Sequence, residues 1–239
     1  MHSLRPLLLI FAAGVIIPRS LLAGPDPQQE ALWRSVNAFW THEVSTLGGK
    51  HYQPPKLRLF ATPVEHGCGS QAALSGPFYC PADGTVYLDQ RYLQQLRRHD
   101  RPEATLLLGL VMAHELGHHL QSVLGITANV EQALSSSNAD LSRRTYATFE
   151  LQADCYAGLW ARQAAAQGTV HIPADLALPL GDLAVTSQAW QSQLSADGQM
   201  PDPLSTGSAA QRLKWFRRGL DSGKFSDCDT FAAEAGGTL

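Results

Sequence analysis

The chain has 239 residues, 44% of them hydrophobic and 16% charged, with a formal net charge of -3 and a sequence pI near 6.3. That balance excludes a disordered polyelectrolyte and leaves enough apolar side chain for a proper core. The lysines and arginines form no run, so nothing in the charge pattern calls for a nucleic-acid partner.

The amino terminus, "MHSLRPLLLIFAAGVIIPRSLLAG", has an early Arg5, an apolar run from Leu7 to Ile17 and small residues at Ala23 and Gly24. This is the layout of a secretory signal peptide over residues 1–23. The run is shorter than the ~20 residues that span a bilayer, and the alternative is an uncleaved anchor extended through Pro18 to Leu22. Membrane attachment is expected only in that case. Either way the body of the protein, residues 24–239, is expected outside the cytoplasm as a single domain.

Leu32, Val36, Phe39, Trp40 and Val44 follow at helical spacing, with a stop at Gly48 and Gly49. "LRLFATPV" reads as a strand, and "GPFYCPADGTVYLD" as two strands about a Pro-Ala-Asp-Gly turn. A small antiparallel sheet is expected. A long buried helix runs from Pro102 to Gly125, then a short helix and surface loop through "ITANVEQALSSSNADLSRRT". An alanine-rich helix, "YATFELQADCYAGLWARQAAAQG", ends at Gly168. A further helix is expected from about Pro173 to Ser195, then a loop, then a last helix with Leu213, Phe216 and Leu220 on one side. The four cysteines, Cys68, Cys80, Cys155 and Cys228, allow three pairings, and an even number in an exported chain favours disulfides.

The chemistry lies in "VMAHELGHHLQ". His114 and His118, at i and i+4, stand about 40 degrees apart around a helix axis and can share one zinc ion. Glu115 lies about 60 degrees beyond His118, where a carboxylate can act as general base without ligating the metal. His119 points too far round to join them and reads as a histidine behind the site or on the surface. A catalytic zinc needs a third protein ligand and an open position. The candidates are an acidic residue on a helix, or one of His51, His66, His99 and His171. "FELQAD" offers Glu150 and Asp154 one turn apart in an otherwise apolar helix. Glu150 suits the metal; Asp154 suits the N–H of a ligating histidine, fixing its tautomer. Cys155 points away from the metal, free for a disulfide.

"GPFYCPADGTVYLD", "AHELGHHLQ", "ELQADCYAGLWA" and "GSAAQRLKWFRRG", with "FW", "PPKLRLF", "GCGS" and "CDTF", together resemble the bacterial neutral zinc metallopeptidases of the YpfJ type, from about Phe39 to Phe231. The resemblance implies an α+β, mainly helical, zincin-like metallopeptidase domain, with one zinc per chain on His114, His118 and Glu150. It also implies Glu115 as the base, a peptide or protein substrate, and disulfides Cys68 to Cys80 and Cys155 to Cys228. Where the family pattern reads His-Gly before the last helix, this chain has Thr206. In related enzymes a histidine or arginine from that segment supports the oxyanion of the tetrahedral intermediate. Arg212 is the remaining candidate, its plain alternative being a solvated helix arginine. Tyr146 and Tyr156 are weaker candidates that suit a core as well. Two readings stay open: an exported zinc peptidase working through Glu115, and a non-catalytic module that keeps the fold and binds a partner in the cleft. In the first, the strand at Val86 to Asp89 is expected along the cleft, pairing with an extended substrate.

Overall fold

The computed structural model describes residues 26–46, 52–62, 64–68, 76–98, 103–176 and 207–239. The leader, His51, His99, the segment read as a helix from Pro173 to Ser195 beyond Leu176, and Thr206 lie outside the described residues.

Helix α1 (Pro27–Thr46) begins where Asp26 and Gln29 exchange hydrogen bonds, Gln29 N to Asp26 Oδ1 at 2.8 Å and Asp26 N to Gln29 Oε1 at 3.2 Å. Pro27 stands at the first helical position, where its missing N–H costs nothing. The face bearing Leu32, Val36, Phe39, Trp40 and Val44 is buried, as its spacing requires.

Three strands follow: β1 (Lys56–Phe60), β2 (Phe78–Cys80) and β3 (Thr85–Asp89), in the spatial order β1-β3-β2. β2 and β3 form the expected antiparallel hairpin, turning at Gly84 with φ 66°. β1 joins β3 in parallel, so the sheet is mixed rather than antiparallel. Each strand's local pattern marks it as a strand but carries no information about its partner or direction. β3 is central and buried at all five positions, paired with β1 along Thr85–Asp89 and with β2 along Thr85–Tyr87, so Val86 to Asp89 is not the exposed edge that a substrate strand needs. The described sheet ends at β2, which packs against the next long helix.

Asp89 then starts α2 (Gln90–Arg98) by accepting from the backbone N–H of Arg91 at 2.9 Å. Helix α3 (Ala104–Val123) is buried along most of its length, and Gly125, at φ 80°, turns the chain into α4 (Ile126–Ser136). Helix α5 (Ala139–Ala166) is longer than its composition indicates. It starts at Asn138, whose side chain accepts from the Leu141 N–H, not near Tyr146. Its first turns are largely exposed, so their polar sequence looked like loop although cap and helix are both encoded. Ser208 and Gln211 form a capping box that starts α6 (Ala209–Ser222); a 3-10 turn (Phe225–Cys228) and α7 (Thr230–Ala235) finish the described fold.

One apolar cluster joins α1, β3, α2, α3, α5, α6 and the 3-10 turn, with Trp40 and Trp160 fully buried. Truncating either to alanine would cost about 3–5 kcal/mol. Small residues set how closely the helices approach. A Cβ on Gly117 would lie 3.1 Å from Ala153 Cα, so α3 and α5 cross with backbones almost touching. A Cβ on Gly158 would lie 2.1 Å from the Phe216 carbonyl oxygen, and one on Gly219 2.0 Å from that of Cys155, so α5 and α6 are closer still. Those two crossings bring the chemistry of three helices to one place.

Both disulfides implied by the family resemblance are present, Cys68 to Cys80 and Cys155 to Cys228, and they point to an oxidising, extracytoplasmic environment. Among the described residues no helix is long and apolar enough to cross a membrane.

Candidate metal centre

The crossing at Gly117 and Ala153 sets His114 and His118 of α3 against Glu150 and Asp154 of α5. The imidazole planes stand at 89° with their Nε2 atoms 3.1 Å apart. Glu150 closes the third side, Oε2 at 3.3 Å from His114 Nε2 and Oε1 at 3.6 Å from His118 Nε2. One ligand atom from each of the three lies within 4.8 Å of the others, a group that could hold a metal ion.

Both rings are held from behind. His114 Nδ1 lies 3.0 Å from Asp154 Oδ1, and an ionised carboxylate only accepts, so Nδ1 carries the proton and Nε2 keeps its lone pair. His118 Nδ1 lies 2.8 Å from Gln121 Oε1, and its ring stacks on Phe149 with centroids 4.9 Å apart. Two imidazoles with lone pairs converging beside a buried carboxylate are the donor set zinc takes in catalytic sites. The residues present fit the ion.

Glu115, 7% exposed, lies outside the ligand group, beside the backbone of Tyr79 in β2. His119 is neither a ligand nor a surface residue. It is buried, with Nε2 donating to the Gln53 carbonyl at 2.8 Å and Nδ1 accepting from the Tyr79 hydroxyl at 3.0 Å. It thus fastens β2 and the segment before β1 onto α3.

Residues 29–231 match the family model described as "Putative neutral zinc metallopeptidase". The chain belongs to this metallopeptidase family. It is 38% identical over 212 residues to "Uncharacterized protein YpfJ" of Escherichia coli (strain K12), covering 87% of this chain and 73% of that one. It is 36% identical over 213 residues to "Uncharacterized protein Rv2575" of Mycobacterium tuberculosis (strain ATCC 25618 / H37Rv), covering 85% and 69%. No solved structure matches the chain. Membership supports a metallopeptidase-like function with a metal cofactor.

The electrostatics of this candidate site favour a cation. Burial works against a charge on His114, but the hydrogen bonds and charges of Asp154 and Glu150 outweigh it and push the ring up to about 10; a metal would take the place of the Nε2 proton and free that lone pair, while Nδ1 keeps its proton on Asp154. Burial alone would raise Glu150; the His118 and His114 rings and Arg212 bring it down to about 2. Burial pushes Glu115 up to about 7. Asp154 is held well below the carboxylate range against its burial, chiefly by Arg212, whose Nε and Nη2 lie 2.8 Å from its two oxygens. Arg212 is therefore not a solvated helix arginine. It stands behind His114, with two of its three nitrogens on Asp154.

Tyr146 is half-buried beside Glu150, whose charge first, then burial, raises its hydroxyl well above the ordinary tyrosine range. Tyr156 belongs to the core, stacked on Phe225 with centroids 5.2 Å apart. Neither described histidine alternative joins the site. His171 is exposed, and His66 packs on Phe78 and Tyr87 beside sulfurs already spent in a disulfide. Sequence reasoning passed over Gln121, Gln152 and the Tyr79 backbone. Two of the three had a signal: Gln121 sits three residues after His118, and Gln152 lies between Glu150 and Asp154.

Proposed function

We propose that the chain is an exported zinc metallopeptidase that hydrolyses peptide bonds, with one zinc held by His114 Nε2, His118 Nε2 and the Glu150 carboxylate. The observation that carries this is the pair of Nδ1 atoms, each turned onto an acceptor, so that both lone pairs meet beside Glu150. The chemistry such an ion supplies is Lewis acidity, under which water ionises near a pH of about 7 and a carbonyl is polarised.

The protein's own groups do the rest. Glu115 takes the proton of the attacking water on its carboxylate and returns it to the leaving amine. The carboxylate lies within reach of the charges of His114, Glu150 and Arg212, with the Tyr79 backbone beside it. Asp154, clamped by Arg212, keeps His114 in its ligating tautomer. Arg212 acts first through that carboxylate, with Nη1 left for an oxyanion; Tyr146 supplies a second donor from the Glu150 side. An extended peptide is proposed to add to the outer edge of β2, the strand whose Tyr79 lies beside Glu115. The leader over residues 1–23 would deliver the chain to the periplasm or the medium, in keeping with its two disulfides.

The test is one preparation assayed for bound zinc and for cleavage of an unfolded protein, with and without a chelator, beside Glu115→Gln. Chelator-sensitive cleavage that Glu115→Gln lacks is the expected result. Stoichiometric zinc with the same background activity in both proteins would refute the peptidase and leave a zinc-holding binding module.

A further inference from the structure

Behind His118, away from Glu150, two buried amides form a chain. Gln121 is 0% exposed and Gln152 4%. Gln121 Oε1 lies 2.8 Å from His118 Nδ1, while its Nε2 donates to the Phe149 carbonyl at 2.8 Å and to Gln152 Oε1 at 3.0 Å. Gln152 Nε2 in turn donates to the Cys228 carbonyl at 3.1 Å.

An amide's oxygen and nitrogen are ordinarily interchangeable to the eye. Here the partners assign them. The backbone carbonyls of Phe149 and Cys228 only accept, so Gln152 turns its nitrogen to Cys228 and its oxygen to Gln121. Gln121 then spends both N–H groups on Phe149 and Gln152, which leaves its oxygen for His118. An oxygen acceptor requires a proton on Nδ1, and the Nε2 lone pair is thereby directed at His114 and Glu150. The far end of the chain is fixed twice. Cys228 is bonded to Cys155 of α5, and the Thr230 hydroxyl donates to the Thr148 carbonyl of the same helix at 2.8 Å.

Packing alone gives no reason for two amides in this core, since apolar side chains of the same length would need no partners. We propose that Gln121 and Gln152 are positioning residues, a one-way amide relay from the disulfide-held Cys228 carbonyl that fixes His118 as its Nδ1–H tautomer with Nε2 free for the metal. The inference rests on the metal-site reading above. The two ligating rings are then set by different means: His114 by an ion pair, His118 by a neutral chain that ends on backbone.

The experiment compares the parent chain with Gln121→Met and Gln152→Met, which keep the length and remove the polar atoms. Nitrogen-15 shifts of the His118 ring, recorded after chelator treatment, report the tautomer without any metal. The Nδ1–H form is expected in the parent and a mixture of both forms in Gln121→Met. Zinc affinity, read by competition with a chromophoric chelator, is expected to fall about 10- to 100-fold in Gln121→Met and by less in Gln152→Met. A purely structural role would leave the ring tautomer alone. The Nδ1–H form and parental affinity persisting in a folded Gln121→Met would overturn the relay; if that variant does not fold, the same result in Gln152→Met decides. A parent chain that shows the Nδ1–H form but takes up no zinc would support the relay and refute the metallopeptidase.

Discussion

Arg212 grips both oxygens of Asp154 at 2.8 Å, and Asp154 holds His114 Nδ1 at 3.0 Å, so a residue of α6 is two contacts from the candidate metal. Removing the guanidinium strands a largely buried carboxylate. Arg212→Met is expected to lose about 3 kcal/mol of stability and to bind zinc about tenfold more weakly. If Arg212 worked only on an oxyanion, activity would drop with zinc affinity intact. Measuring chelator competition and kcat on the same preparation separates the two.

Glu115→Gln removes a proton acceptor but no ligand. Activity is expected to fall by about 10²- to 10⁴-fold while zinc content stays at the parental level. Loss of zinc together with activity would mean that Glu115 belongs to the ligand set instead.

Gly219 lies where α6 meets the backbone of α5, and a Cβ there would be 2.0 Å from the Cys155 carbonyl oxygen. Backbone on both sides cannot step aside, so the helices must part. Gly219→Ala is expected to cost about 1–3 kcal/mol and, by loosening Arg212 on Asp154, to weaken zinc binding as well. Thermal unfolding with and without added zinc tests this. A parental midpoint would show that the crossing tolerates the methyl group.

The two disulfides close loops of unequal size, 73 residues apart for Cys155 and Cys228 and 12 for Cys68 and Cys80. From loop entropy the first is expected to contribute about 4 kcal/mol and the second about 3 kcal/mol. Urea unfolding of the two paired cysteine-to-alanine variants should rank them in that order. Equal losses would contradict the loop-length account.

The sequence made plain whatever depends on one helix. His114 and His118 share a face through α-helical geometry alone, and Glu150 stood out as an acid in an apolar helix. What depends on two helices was less visible. Which histidine takes Asp154 is decided by the crossing at Gly117 and Ala153, and the Arg212 contact by the glycines of α5 and α6. Gln121 and Gln152 passed for ordinary polar residues because their burial follows from tertiary packing. The start of α5 was missed for the opposite reason, its exposed first turns having the composition of a loop. The direction of β1 in the sheet was equally hidden, since strand alternation reads the same for a parallel and an antiparallel neighbour.

The docking of the C-terminal segment on α5 also sets an order of events. All three proposed ligands lie on α3 and α5, whereas the groups that orient their rings end on Arg212 and Cys228. A chain emerging N-terminus first thus displays its ligands before anything holds them in register. On the proposed metal-site reading, full metal affinity then waits for the docking of the tail on α5, which the Cys155 to Cys228 bond and the Thr230 hydroxyl both secure.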